Sequence, residues 1–304
     1  MKTQVLLGFL GLILALRLTA NTFAQSYNFE TYSVDDPLST QPDWSSSDTN
    51  ADPLDRPDGV AVDAQGGGNF YILNSSNNTV GILGGFLFPD STPTGTTTLL
   101  SAAVTSAPSV SSPILRFRWA QNILNAAPDD GVRDRFGWTI RKTNGGTTSD
   151  LVALMLDPKH LLTEDQADKN TLLARAYNGS AASLGNAITV SSVQSLARGA
   201  PYSFEILLDT SANLWSARVG NSPDYLTTTW STIVANATLG LSSGDVVSQF
   251  SATWILESSN PNNAGENVMA FDNIQIDTVP EPSSLSLFTF GALALLAARR
   301  RSRS

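Results

Sequence analysis

The sequence predicts an all-β fold, an antiparallel β-sandwich, from two observations. The first is alternation with a period of two residues, in which apolar side chains share one face of a strand and polar ones the other. Leu115, Phe117 and Trp119 alternate with Arg116 and Arg118, and Phe136, Trp138 and Ile140 alternate with Gly137, Thr139 and Arg141. The second is the scarcity of helical spacing through the same stretch. One buried and one solvated face per strand is the pattern of two antiparallel sheets packed together.

The chain opens with Met1-Lys2-Thr3-Gln4 and an apolar run from Val5 to Leu16. A charged start before a short apolar segment predicts a secretory signal helix over residues 1–24. Small residues at Thr22 and Ala24 favour cleavage by signal peptidase after Ala24, with Ala20 as the second choice. A single N-terminal membrane anchor is the alternative, but the run is shorter than the roughly 20 residues that span a bilayer, and Arg17 interrupts it.

Residues 25–277 form the body. About 250 residues suffice for one large all-β domain, and no repeat or Pro- or Gly-rich linker divides them. There is no cysteine, so stability rests on a core, with a metal as the conceivable aid. Phe204, Ile206 and Leu208 precede a turn at residues 209–213, after which Trp215, Ala217 and Val219 face inward and Ser216 and Arg218 outward, a hairpin. Phe250, Ala252, Trp254 and Leu256 supply another strand. The best helix candidate is Thr163 to Arg175, with Glu164, Asp165 and Asp168 early and Arg175 late, as the helix dipole prefers.

The tail occupies residues 278–304. Val279-Pro280-Glu281-Pro282 precedes an apolar stretch from Leu285 to Ala298, and Arg299, Arg300, Arg301 and Arg303 close the chain. Fourteen helical residues reach about 21 Å at ~1.5 Å each, against ~30 Å of hydrocarbon, so the predicted transmembrane helix is short. Positive residues flanking such a helix stay cytoplasmic, while the two prolines keep the preceding segment extended. A Pro-Glu-Pro triplet, an apolar helix and a terminal arginine cluster, in that order, resemble PEP-CTERM sorting tails. That resemblance implies a precursor held transiently in the inner membrane, processed by an exosortase near the triplet, and delivered to the cell surface or extracellular matrix.

The body also carries a resemblance. Phe29-Glu30-Thr31-Tyr32, Asp36-Pro37-Leu38 and Gln41-Pro42-Asp43-Trp44 look like an opening strand and loop, Met269-Ala270-Phe271-Asp272-Asn273-Ile274 like a closing strand, and Tyr202 to Val219 like a middle strand pair. Together they resemble concanavalin A-like (laminin G-like) jelly rolls and related carbohydrate-binding modules. In several such modules acids of the first and last strands share a structural calcium, and Glu30 and Asp272 match those positions. On parity alone, Asp272 falls with Val268, Ala270, Ile274 and Ile276, so a regular strand would aim its carboxylate at the core. An unpaired buried carboxylate is costly. It needs a cation, a set of hydrogen bonds, or a bulge that turns it outward.

Formal charge is −9 for the chain. Six basic residues lie in the two processing segments, and without them 12 Lys and Arg face 27 Asp and Glu, about −15. Such a surface repels phosphate backbones, which argues against nucleic-acid partners. Asp48-Thr49-Asn50-Ala51-Asp52 copies the early spacing of a calcium loop, but Pro53 follows and no Glu closes it, so a solvated acidic loop is expected. Trp119, Trp138, Trp215 and Trp254 sit on apolar faces and are expected in the core, whereas Trp44 and Trp230 lie in polar stretches and are the candidates for stacking on a sugar. His160 is the one histidine, which excludes a multi-histidine zinc site. No run of acids on alternate strand residues appears, Glu205 and Asp209 being separated by three apolar residues. Gly66-Gly67-Gly68 lacks the Lys-Ser/Thr of a phosphate loop and reads as a turn. The expectation is a non-catalytic surface or matrix protein associated with exopolysaccharide and requiring no cofactor, with a structural calcium ion at Glu30 and Asp272 as the alternative to a hydrogen-bonded, metal-free Asp272. The alternatives are a carbohydrate-binding module with a specific glycan ligand and, behind it, a glycan hydrolase.

Overall fold

The alternating segments become strands because each has one face to bury and must find neighbours for its backbone amides and carbonyls. The structure is a computed structural model and describes residues 25–27, 42–46, 60–61, 81–84, 95–108, 113–123, 135–157, 171–188, 194–197, 200–256 and 268–279. In chain order its strands are β1 Gln25–Tyr27, β2 Trp44–Ser46, β3 Val60–Ala61, β4 Gly81–Gly84, β5 Gly95–Ala103, β6 Ile114–Ile123, β7 Arg135–Asn144 and β8 Thr147–Asp157. They continue with β9 Thr171–Asn178, β10 Gln194–Ala197, β11 Tyr202–Asp209, β12 Leu214–Gly220, β13 Trp230–Thr238, β14 Val246–Leu256 and β15 Val268–Val279. Among the described residues the only helical element is a short 3-10 turn at Leu184–Asn186. The predicted signal helix and tail helix lie outside the described residues.

Two antiparallel sheets form. One has the order β13-β12-β11-β6-β15-β4-β3, with β1 also paired to β15; the other has the order β10-β9-β8-β7-β14-β5-β2. Strand β15 is interior to its sheet. It pairs with β6 on one side and, on the other, with β4 through Val268–Phe271 and with β1 through Ile274–Ile276.

The inner faces carry the residues that alternation selected. Leu115, Phe117, Trp119, Phe136, Trp138, Ile140, Phe204, Ile206, Leu208, Trp215 and Phe250 are all buried. Trp138 stacks on Phe250 at 4.3 Å between centroids, Trp119 stacks on Phe204 at 5.5 Å, and Trp119 meets Trp138 across the two sheets at 6.0 Å. Each such side chain contributes about 1.5–3 kcal/mol by leaving water, and offset ring pairs add specificity of geometry. The hairpin predicted around residues 209–213 is present, with Leu208 opposite Trp215 and Phe204 opposite Val219.

Two expectations change. The helix expected from Thr163 to Arg175 does not form at its C-terminal end, because Thr171–Asn178 is β9, paired to β8 through Leu156↔Ala174 and Leu154↔Ala176. Ala174 and Ala176 enter the core, and this non-local pairing overrides a charge order that a helix would also satisfy; residues 163–170 lie outside the described residues. The second change concerns β15. Its register against β6 slips between Asp272 and Gln275, and Asn273 has φ 51. One extra residue in the left-handed region makes a bulge, so Phe271, Ile274 and Ile276 all reach the core while Asp272 pairs with Ala120 on the outer face.

Candidate functional site

The outer face of the eight-stranded sheet concentrates charge. Glu205 on β11 lies between Arg118 of β6 and Arg218 of β12 by strand register. Arg118 donates from Nε to Glu205 Oε2 at 2.7 Å, and Arg218 Nε lies 2.6 Å from Oε1. The Glu205 side chain is fully buried, whereas Arg218 keeps 35% of its side-chain surface in water. Two guanidiniums around one carboxylate leave an excess positive charge on this row. On the next row Arg116 Nε donates to Asp277 Oδ1 at 2.7 Å, and Gln275 donates to the other oxygen at 3.1 Å. Burial alone would lower the pKa of Arg116, but its bonds to Asp277 outweigh this and raise it.

Residues 221–229 fold over that face. The carboxylate of Asp224 accepts from the Leu226 amide at 2.9 Å and the Thr227 hydroxyl at 2.8 Å, and the amide bond in particular holds its pKa below the ordinary range. The loop sets the Tyr225 ring 5.3 Å from the Arg118 guanidinium; burial raises the phenol pKa. Trp230, opening β13, has the Arg218 guanidinium 4.4 Å from its ring centre, a cation–π contact. Leu226 projects into solvent at 81% exposure.

The outer face of the seven-stranded sheet is a row of hydroxyls. Ser101 and Ser251 are 2.8 Å apart, Thr253 donates to Thr139 at 2.9 Å, and all four are buried. Arg141 donates to Asp150 at 3.0 Å and to Gln249 at 3.2 Å. Arg135, buried despite its charge, donates to the Ala181 carbonyl at 2.7 Å and to the Tyr177 hydroxyl at 3.2 Å. Carboxylates held against arginine in this way serve as fixed acceptors.

The third feature is the end of the sandwich where β1 starts and β15 stops. Gln25 lies opposite Ile276, and Val279 opposite Ile114. Gln25 donates to the Ala103 carbonyl at 2.7 Å and accepts from the Thr105 amide at 2.8 Å, while Ser106 donates to the Ile276 carbonyl at 3.4 Å. Beside these contacts is a groove of about 480 Å³ whose walls include Val104, Ser106, Thr210, Asn213, Leu241 and Val247. Asp245 at its rim accepts from Lys142 at 2.6 Å, from the Ser242 amide at 2.7 Å and from Asn144 at 2.8 Å. These bonds, the Lys142 bond first, bring its carboxyl down to about 2.

The sequence-predicted residues separate. Val279 ends β15, while Pro280, Glu281, Pro282 and Arg299, Arg300, Arg301 and Arg303 lie outside the described residues, as do Glu30, His160 and the acidic stretch from Asp48. Asp272 is buried, and Asn273 donates to it from its backbone amide at 2.6 Å and its side-chain amide at 3.0 Å. Trp44, placed on polar context as a sugar platform, is 5% exposed and packs on Tyr27 at 5.1 Å and Trp138 at 6.3 Å. Trp230 is half-buried, with the Arg218 guanidinium over its ring. The Arg118–Glu205–Arg218 row is the group that residue-by-residue reading passed over. Its signal lies in the hairpin itself, since a turn at 209–213 sets Glu205 opposite Arg218.

Residues 278–301 match the family described as the PEP-CTERM protein-sorting motif. A comparison with curated proteins by sequence gives no match. Among solved structures the chain is similar to basic winged bean lectin with Tn-antigen, at 11% identity and TM-score 0.44, covering 86% of this chain and 99% of the lectin. It is similar to the PL-14 alginate lyase of Aplysia kurodai, at 12% identity and TM-score 0.39, covering 72% of this chain and 86% of the lyase. A third similarity is to the Emp47p carbohydrate recognition domain, at 8% identity and TM-score 0.39, covering 83% of this chain and 94% of that one. The chain therefore ends in a PEP-CTERM protein-sorting motif, which indicates export and membrane-associated sorting by an exosortase-type enzyme.

Proposed function

We propose that the protein is a non-catalytic component of the cell surface or extracellular matrix, held in the inner membrane by its tail until processing near Pro280-Glu281-Pro282, and that its sandwich contributes to a polysaccharide-rich coat. The observation that carries this reading is the tail. Its triplet, apolar stretch and arginine cluster fall within or beside the matched motif. The paired carboxylates of Glu205, Asp277 and Asp150 support a structural role for these acids, since each is engaged by arginine. Intact-mass measurement of protein recovered from cells and from medium tests the sorting reading. Released protein is expected to begin at Gln25 and to end near the triplet, and release of chains that retain Ser304 would overturn it.

A carbohydrate-binding role is the second reading, favoured by the Tyr225 and Trp230 rings set beside Arg118 and Arg218. Aromatic faces and guanidinium donors together suit a sugar ring with an acidic substituent. A glycan array probed with residues 25–279 separates the readings. Saturable binding weakened by Trp230→Ala favours the second, and signal at background favours the first.

A further inference from the structure

We propose that the end of the sandwich where β1 begins and β15 stops is the bilayer-facing surface of the precursor, so that the domain stands end-on against the membrane until its tail is cut. The proposal rests on the tail being membrane-held, and it adds an orientation that the motif alone does not supply.

Strand pairing sets that orientation. Strands β1 and β15 are antiparallel, with Gln25 opposite Ile276. The residue after the expected signal-peptide cut and the residue before Pro280 therefore leave the domain at the same end. Neither exit is loose. Gln25 is tied to Ala103 and Thr105, and Asp277, two residues before the end of β15, is ion-paired to Arg116. Because β15 stays paired to β6 as far as Val279, the chain leaves along the strand axis.

The remaining distance is short. Five residues lie between Val279 and Leu285, where the apolar stretch starts, and the six extended steps from one to the other reach at most about 20 Å. Pro280 and Pro282 have fixed φ and stiffen that spacer. A ten-residue strand such as β6 extends about 33 Å, so the two ends of the sandwich differ in height by roughly the thickness of the hydrocarbon core.

The surface that would face the bilayer suits a flat neighbour. Its turns contain Gly145, Gly146, Gly240 and Gly244, all at positive φ, where the absence of a side chain permits the conformation and keeps the profile low. Val246, 63% exposed, is an apolar residue at this end, and the charge of Asp245 is met by Lys142. The groove lined by Ser106, Thr210 and Asn213 opens here as well, so cutting the tail would uncover it.

The chain lacks cysteine, so Ser243→Cys and Thr229→Cys each create one labelling site, at the tail end and at the opposite end. Both residues are exposed. The tail-bearing chain, labelled with a donor dye, is reconstituted into phosphatidylcholine vesicles that carry a headgroup-linked acceptor. Energy transfer from position 243 is expected to exceed that from position 229 at least threefold, and both should fall to background in a chain ending at Val279. Equal transfer from the two sites in vesicle-bound protein would overturn the orientation alone. Failure of the tail-bearing chain to associate with vesicles would overturn the tail reading and the orientation with it.

Discussion

Asp245 precedes β14 by one residue and collects three donors, Lys142, the Ser242 amide and Asn144, which bring its carboxyl down to about 2. In the unfolded chain the same group titrates at ~3.9. A depressed folded pKa stabilises the fold at every pH above the unfolded value, and that contribution disappears as pH falls through the folded one. Asp245→Asn is therefore expected to lower the melting temperature at pH 7. The gap to the parent should narrow between about pH 4 and pH 2, as thermal unfolding followed by circular dichroism will show. This cluster was not legible in the sequence, because Lys142 and Asp245 are 103 residues apart and meet only when β7 pairs with β14. The Glu205–Arg218 contact was closer to hand, since one hairpin fixes its register. Trp44 illustrates the opposite failure. Its neighbours in sequence are polar, but its partners in space are Tyr27 and Trp138.

Strands β7 and β8 approach closely at Gly137. A Cβ there would lie 2.2 Å from the Leu154 carbonyl oxygen and 2.6 Å from the Met155 Cα. Backbone atoms on the neighbouring strand cannot rotate aside as a side chain would, so Gly137 is required for the contact itself. Gly137→Ala is expected to destabilise by about 1–3 kcal/mol or more, as overpacking does, read as a lower urea midpoint at unchanged slope. The strands around it were legible because Phe136, Trp138 and Ile140 alternate cleanly. The β9 segment was not, since the acids before it and Arg175 within it follow the order of a helix, and what makes it a strand is its pairing to β8. The bulge at Asn273 was foreseen as one of three ways to accommodate Asp272. What produces the bulge is the buried position of Phe271 beside Ile274, which an unbroken period of two cannot give.

Across the whole molecule, the sandwich is closed by its last strand. Removing β15 would strip β6, β4 and β1 of a shared partner and expose Trp138 and Phe117 where Phe271 and Ile276 now pack. A chain ending at Val279 is expected to fold with a single cooperative transition, whereas one ending at residue 267 should show no cooperative melt and should bind hydrophobic dyes. Alternation predicted the two layers, yet the strand order joining the first strand to the last depends on contacts more than two hundred residues apart, which no local pattern encodes. That same order has a mechanical meaning. A pull on the tail runs along the axis of β15, so its hydrogen bonds to β6 resist sliding together instead of parting one by one, and the Arg116–Asp277 pair lies just behind the point of attachment. The strand that hands the protein to its processing enzyme is thus also the one best placed to bear load.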